Sequence, residues 1–178
     1  MQGIYEAPMT ATIHSIWLMA KPEDESLLSG LVTDLAGRFG TPLFTPHLTV
    51  RGDTTRPAPD LSADIAAAAA QVAAFAEAVE DIETSEAFFR SFYARFAVAP
   101  PLAALKRRLD PEGLDGFLPH VSLLYGPVPD QPKAEAAGAI RRLLNGRAIA
   151  FDRLCVVTSG QDVPIADWTV VATARLGG

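Results

Sequence analysis

The spacing of apolar and polar positions divides the chain into strands and helices. Thr10–Ala20 (TATIHSIWLMA) is rich in β-branched and aromatic residues and reads as a strand. Ser26–Phe39 spaces Leu27, Leu28, Leu31, Val32 and Leu35 at helical intervals, behind Pro22 and its following acids and ahead of Gly40 and Pro42. HLTVRG reads as a short strand and RPAPD as a loop. The Ala-rich run LSADIAAAAAQVAAF predicts a helix, because Ala has the best helix propensity. Ala74–Ser85, with imperfect alternation, and the aromatic Ala87–Val98 read as strands. Pro100 and Pro101 open a short helix to Leu109. HVSLLYG is a strand, Pro132–Asn145 a helix stopped by Gly146, and AIAFDRLCVVTSG and ADWTVVATARL a final strand pair.

One phrase occurs twice in this order. TPHLTVRG and LPHVSLLYG each carry Pro, His, an apolar residue, a hydroxyl residue, another apolar residue and a Gly soon after. Each lies on a strand that follows one helix and precedes another. The coarse duplication predicts an α+β protein, a single bilobal domain over residues 1–178, with the two duplicated strands facing each other across a cleft.

Side chains two apart on a strand share a face. His47 therefore sits beside Thr49, and His120 beside Ser122, while Leu48, Val50, Val121 and Leu123 point into the core. Two imidazoles and two hydroxyls around one point suit displacement at phosphorus. One His takes a proton from water, the other gives one to the leaving oxygen, and the hydroxyls bond phosphoryl oxygens. A single His-x-Thr on a strand is common and says little. The matched pair is what carries the reading, since a structural repeat has no need of His on its open face.

Composition narrows the substrate. The 178 residues are 49% hydrophobic and 20% charged, as in an ordinary globular protein. Lys and Arg number 15 against 21 Asp and Glu, a net charge of -6. That balance argues against gripping long nucleic acid, which needs a broad cationic face. A small phosphorylated ligand held by a few local groups remains open. Cys155 is the sole cysteine, which excludes an intrachain disulfide and suits a reducing compartment. MQGIYEAPMT lacks the basic start and apolar run of a signal peptide, and no apolar segment approaches a membrane span. A soluble cytoplasmic monomer without a membrane partner is the expectation.

PHLTVRG and PHVSLLYG resemble the paired signatures of the two-histidine (2H) phosphoesterase superfamily. SIWLMAKPEDE, FGTPLFTPHLTV and above all PHVSLLYG are similar to its cyclic nucleotide phosphodiesterase branch, over the chain from about Ile13 onward. The resemblance implies two antiparallel sheets with outer helices, facing each other across a central groove, and neither metal nor cofactor. It implies hydrolysis of 2',3'-cyclic nucleotides or ADP-ribose 1'',2''-cyclic phosphate to a phosphomonoester. A related branch of RNA 2',3'-cyclic phosphodiesterases and 2'-5' ligases acts on RNA 3' ends. A module that binds phosphate ends without turnover is the alternative from another class. Carried over residue by residue, His47 and His120 become the acid–base pair and Thr49 and Ser122 the phosphate ligands, with Tyr125 beside them. Arg51 departs from the pattern: it adds a cation near the phosphate or reaches solvent at the strand end.

Other residues enter as candidates for substrate contact. His14 on the first strand lines the cleft or is simply a hydrogen-bonded strand histidine. A catalytic zinc held by His14, His47 and His120 would satisfy zinc's need for three protein ligands, yet leaves Thr49 and Ser122 unexplained. Arg90 and Phe92 share one face of their predicted strand, where Arg suits phosphate or base and an aromatic ring suits stacking. Trp17 is core or a stacking platform. Asp162, Asp167 and Trp168 lie near the last loop with nothing to single them out. Cys155, in an apolar run, reads as buried and inert.

Overall fold

The computed structural model describes residues 11–177. Residues 1–10, read above for a leader, lie outside them. The helix ends follow from local sequence. α1 (Pro22–Phe39) opens on a proline whose missing N–H would be unpaired in any case, with Glu23, Asp24 and Glu25 in its first turn. It closes at Gly40, whose φ of 65° needs a residue without Cβ and whose N–H meets the Ala36 carbonyl at 2.8 Å. α3 (Pro100–Leu109) likewise starts at prolines and gathers Lys106, Arg107 and Arg108 at its negative end. α2 (Ala58–Ala69) and α4 (Asp130–Leu144) complete the set.

The strands are β1 (His14–Ala20), β2 (Leu48–Thr54), β3 (Phe75–Thr84), β4 (Phe92–Phe96), β5 (His120–Leu124), β6 (Ala148–Thr158) and β7 (Thr169–Arg175). Every pairing is antiparallel, in the order β1-β2-β5-β4-β3-β6-β7, and a further β1–β6 pairing closes the sheet into a barrel. The α+β class expected from sequence is observed. The two expected sheets are joined into one. β6 is long enough to pair with β3 through Ala148–Phe151 and with β1 and β7 through its remainder. On the other side, β2 meets β5 at a single pair, Leu48 opposite Val121.

Strand alternation separates two apolar layers. Ile16, Leu18 and Ala20 of β1 face the main core with Leu154 and Val156 of β6 and Leu28, Val32 and Leu35 of α1. Trp17 and Met19 face the other way and pack with Cys155 and Val157. Both faces of β1 are therefore covered, and all seven of its residues are buried. Each fully buried Leu, Ile or Phe contributes about 1.5–3 kcal/mol relative to exposure, so the helix-side core fixes the sheet on which the site is built. No helix of the described residues is long and apolar enough to cross a membrane.

Two elements depart from the sequence reading. α2 starts at Ala58, within the expected RPAPD loop, and ends at Ala69, short of the expected Phe75, which instead opens β3. Ala87–Val98 is not one strand: Phe88–Arg90 form a 3-10 turn before β4 begins. Ser85 is the cause. Its hydroxyl donates to the Arg90 carbonyl and accepts from the Ala87 N–H, which draws these backbone groups out of the ladder.

Candidate active site

A cleft of about 560 Å³ opens on the face of the sheet opposite the main core. His47, Thr49, His120 and Ser122 all line it. Register explains the meeting. With Leu48 opposite Val121, one step along each antiparallel strand sets Thr49 across from His120 and His47 across from Ser122. The two phrases are thus related by an approximate twofold axis through the Leu48–Val121 pair.

The two imidazoles are anchored identically. His47 Nδ1 lies 2.7 Å from the Thr45 carbonyl, and His120 Nδ1 lies 2.8 Å from the Leu118 carbonyl. A carbonyl oxygen can only accept, so Nδ1 carries the proton on both rings and Nε2 is left for chemistry. The residue two before each His, on the far side of the Pro in the phrase, supplies that acceptor. Burial pulls the His47 pKa down to about 4; the Thr45 bond opposes this and the charge of His120 adds to it. Burial also lowers His120, the Leu118 bond raises it, and the Arg90 cation lowers it. Both rings are neutral near pH 7 before a ligand binds.

The other expected residues separate into those at the cleft and those elsewhere. Ser122 lines it, with its hydroxyl donating to the Phe89 carbonyl at 2.9 Å. Tyr125 lines it too, stacked on Phe44 with ring centroids 3.6 Å apart, and burial pushes its phenol up, so it stays a neutral donor. The Gly after it is required: Gly126 has φ 102° and its N–H bonds the Phe88 carbonyl at 2.9 Å, tying the 3-10 turn to β5. Trp17 is at the cleft, but its indole is covered by His47. Arg90 is at the cleft as well.

Arg51, Phe92 and His14 are not among the cleft residues. The β1–β2 register shifts between Trp17 opposite Thr49 and Ile16 opposite Arg51, a bulge that turns Arg51 to the helix side. There its guanidinium donates to the Leu109 carbonyl at 2.7 Å and lies 3.7 Å from Asp110. Phe92 is fully buried in the main core, because the 3-10 turn breaks the alternation that would have aligned it with Arg90. His14 is buried at the start of β1, its Nδ1 3.1 Å from the Arg56 carbonyl. The three histidines therefore do not converge, and no group of three or more metal-ligating side chains occurs among the described residues.

Sequence reasoning missed much of the wall. Phe88, Phe89 and Trp168 form an aromatic side, with Trp168 5.9 Å from Phe89, 6.1 Å from Tyr125 and 5.8 Å from Trp17. Ser15 and Ser159, both buried, share a 2.7 Å hydrogen bond at a polar end with Asp53 and Gln161. Ser15 was legible in principle, being two residues before Trp17 on β1. The loop residues carried no local signal.

The chain is 24% identical over 172 residues to the cyclic phosphodiesterase of Arabidopsis thaliana, covering 92% of this chain and 95% of that one. Among solved structures it resembles TT0787 of Thermus thermophilus (20% identity, TM-score 0.64, covering 92% and 97% of the two chains). It also resembles Escherichia coli LigT complexed with 3'-AMP (12% identity, TM-score 0.57, covering 95% and 100%). No family model matches the chain. End to end, the chain is thus similar in sequence to a cyclic phosphodiesterase and shares the fold of TT0787 and LigT.

Proposed function

We propose that the protein is a metal-independent cyclic phosphodiesterase, which hydrolyses 2',3'-cyclic nucleotides or ADP-ribose 1'',2''-cyclic phosphate to a phosphomonoester. Phosphodiesterase chemistry is supported by the paired His phrases and by the end-to-end likeness to the Arabidopsis cyclic phosphodiesterase. The observation that carries the reading is the matched anchoring of His47 and His120, each with Nε2 left free beside a hydroxyl residue in one cleft.

The reaction needs opposite protonation states at the two Nε2 atoms. The neutral ring accepts a proton from water as the water oxygen bonds phosphorus. The protonated ring donates to the ribose oxygen as its bond to phosphorus breaks. The cyclic phosphodiester is itself an anion, and an anion lodged between the rings raises both pKa values and favours the proton the acid must hold. Thr49 donates to a non-bridging oxygen, Ser122 does so on turning its proton away from the Phe89 carbonyl, and Tyr125 adds a neutral donor beside them. The aromatic wall of Phe88, Phe89 and Trp168 suits a nucleobase.

Charge favours a small substrate over RNA ends. A groove that tracks a strand needs several cations along it. Apart from histidine, the residues lining this cleft include one cation, Arg90, and one carboxylate, Asp53. A turnover assay on 2',3'-cyclic nucleotides, ADP-ribose cyclic phosphate and RNA with a 2',3'-cyclic end tests the reading, with and without chelator. The expected result is turnover of the small substrates unaffected by chelator and lost in both His47→Ala and His120→Ala. Binding without turnover would make the protein a phosphate-end reader. Activity abolished by chelator and restored by zinc would overturn metal independence.

A further inference from the structure

The hydroxyls of the two motifs bring no positive charge to a substrate that carries a negative one. Ser122 moreover directs its proton to the Phe89 carbonyl. With both rings neutral before a ligand binds, the repeated frame holds no positive charge of its own.

Arg90 stands outside that frame, on the 3-10 turn, and lines the cleft. Its Nε is buried and has no hydrogen-bond partner among the described residues. Its guanidinium lies 5.7 Å from the centroid of Tyr93, whose ring packs edge-on to His120 at 5.2 Å. Tyr93 is in turn held by Glu83, through a 2.7 Å bond from its hydroxyl. The neighbouring Arg95 is already paired with Glu83 and Glu80. Among the described residues, Arg90 shares with Arg38, Arg107, Arg108 and Arg142 the lack of a carboxylate within ion-pair distance, and of these five Arg90 is the one that lines the cleft.

A buried N–H without an acceptor is costly unless something fills it. A guanidinium presents its donors as a planar fork that matches two oxygens of one phosphoryl group. We propose that Arg90 is a phosphate-binding residue of the cleft, neutralising the anion through the N–H fork of its guanidinium. It binds the phosphomonoester dianion more strongly than the diester, so its effect grows as charge builds in the transition state. The inference rests on the phosphate chemistry proposed above.

Arg90 also affects His120, since its charge lowers that pKa while the Leu118 bond raises it. The other titratable groups around His120 are Tyr93 and Arg95 on β4, with Glu83 and Glu80 behind them, and His47 on β2. Replacing Arg90 with a neutral residue therefore moves the His120 titration to higher pH.

The test is a titration of inorganic phosphate into wild type, Arg90→Gln and Arg90→Lys, followed by the ring proton resonances of His47 and His120. The expected result is a Kd at least about tenfold weaker in Arg90→Gln, with Arg90→Lys intermediate because it keeps charge but loses the fork. The free Arg90→Gln protein should show His120 titrating at higher pH. Wild-type phosphate affinity in Arg90→Gln overturns the proposal. So does wild-type affinity in Arg90→Lys, which decides the matter if the Gln variant does not fold. Loss of phosphate binding in a protein whose wild type turns over no cyclic phosphate would sustain Arg90 and sink the enzymatic reading.

Discussion

The imidazole of His47 lies flat on the indole of Trp17, with ring centroids 3.5 Å apart and planes 5° from parallel. Trp17 is held from behind by Met19, Cys155 and Val157, so the stack is fixed to the sheet. It constrains the His47 ring and, under the proposed mechanism, offers a π face to the imidazolium form. We predict that Trp17→Leu lowers kcat about tenfold while KM stays within about twofold, and that Trp17→Phe retains most of the rate. Steady-state kinetics on a 2',3'-cyclic nucleotide decide it. A raised KM at unchanged kcat would instead make Trp17 a substrate platform.

The direction of the two histidine shifts sets the pH dependence. kcat/KM reports the free enzyme, which must hold one proton between the two rings. Both pKa values lie below the ordinary 6.5, so that singly protonated form is lost as pH rises through the higher of the two. The kcat/KM profile should be a bell centred on the acid side of pH 6.5. The kcat profile should sit at higher pH, because the bound anion raises both groups. Coincident profiles would show that the phosphate does not lie between the rings.

Thr49 and Ser122 occupy equivalent places in the frame but differ in what they hold. Ser122 supports the Phe89 carbonyl, and removing it orphans that group. Ser122→Ala should therefore cost about 1 kcal/mol of stability as well as activity, whereas Thr49→Ser should cost neither. Thermal denaturation beside initial rates separates the two effects. Equal stability of wild type and Ser122→Ala would remove the structural role.

Arg51 and Phe92, weighed from sequence as candidates for substrate contact, lie against the helices and in the core. Phe92→Leu should destabilise the protein by about 1–2 kcal/mol and leave KM within about twofold. Arg51→Met should likewise leave KM unchanged, since its bond to the Leu109 carbonyl lies behind the sheet. A KM raised tenfold by either change would restore that residue to the cleft.

The order of elements and the two His phrases were legible because both are local. Period-2 and helical spacing mark the strands and helices, and HLTV and HVSL display their alternation directly. The exceptions lie where alternation is broken by something outside the strand. At Arg51 a bulge against β1 turns the side chain over, and no residue in HLTVRG announces it. At Phe92 the Ser85 hydroxyl bends the chain ahead of β4, so the face shared with Arg90 disappears. The aromatic wall was hidden for another reason: Phe88, Phe89 and Trp168 come from segments distant in sequence and meet only through the closed sheet.

The Leu48–Val121 pair gives the reacting centre a frame that reads the same from either end. Such a frame is degenerate: nothing within it tells the oxygen that attacks from the oxygen that leaves. Under the proposed mechanism the polarity of the reaction comes from groups that differ across the axis. Trp17, opposite Thr49, lies flat under His47, whereas its counterpart Tyr93, opposite Ser122, meets His120 edge-on, and the Arg90 cation acts on His120, so substrate handedness is written in the departures from the repeat.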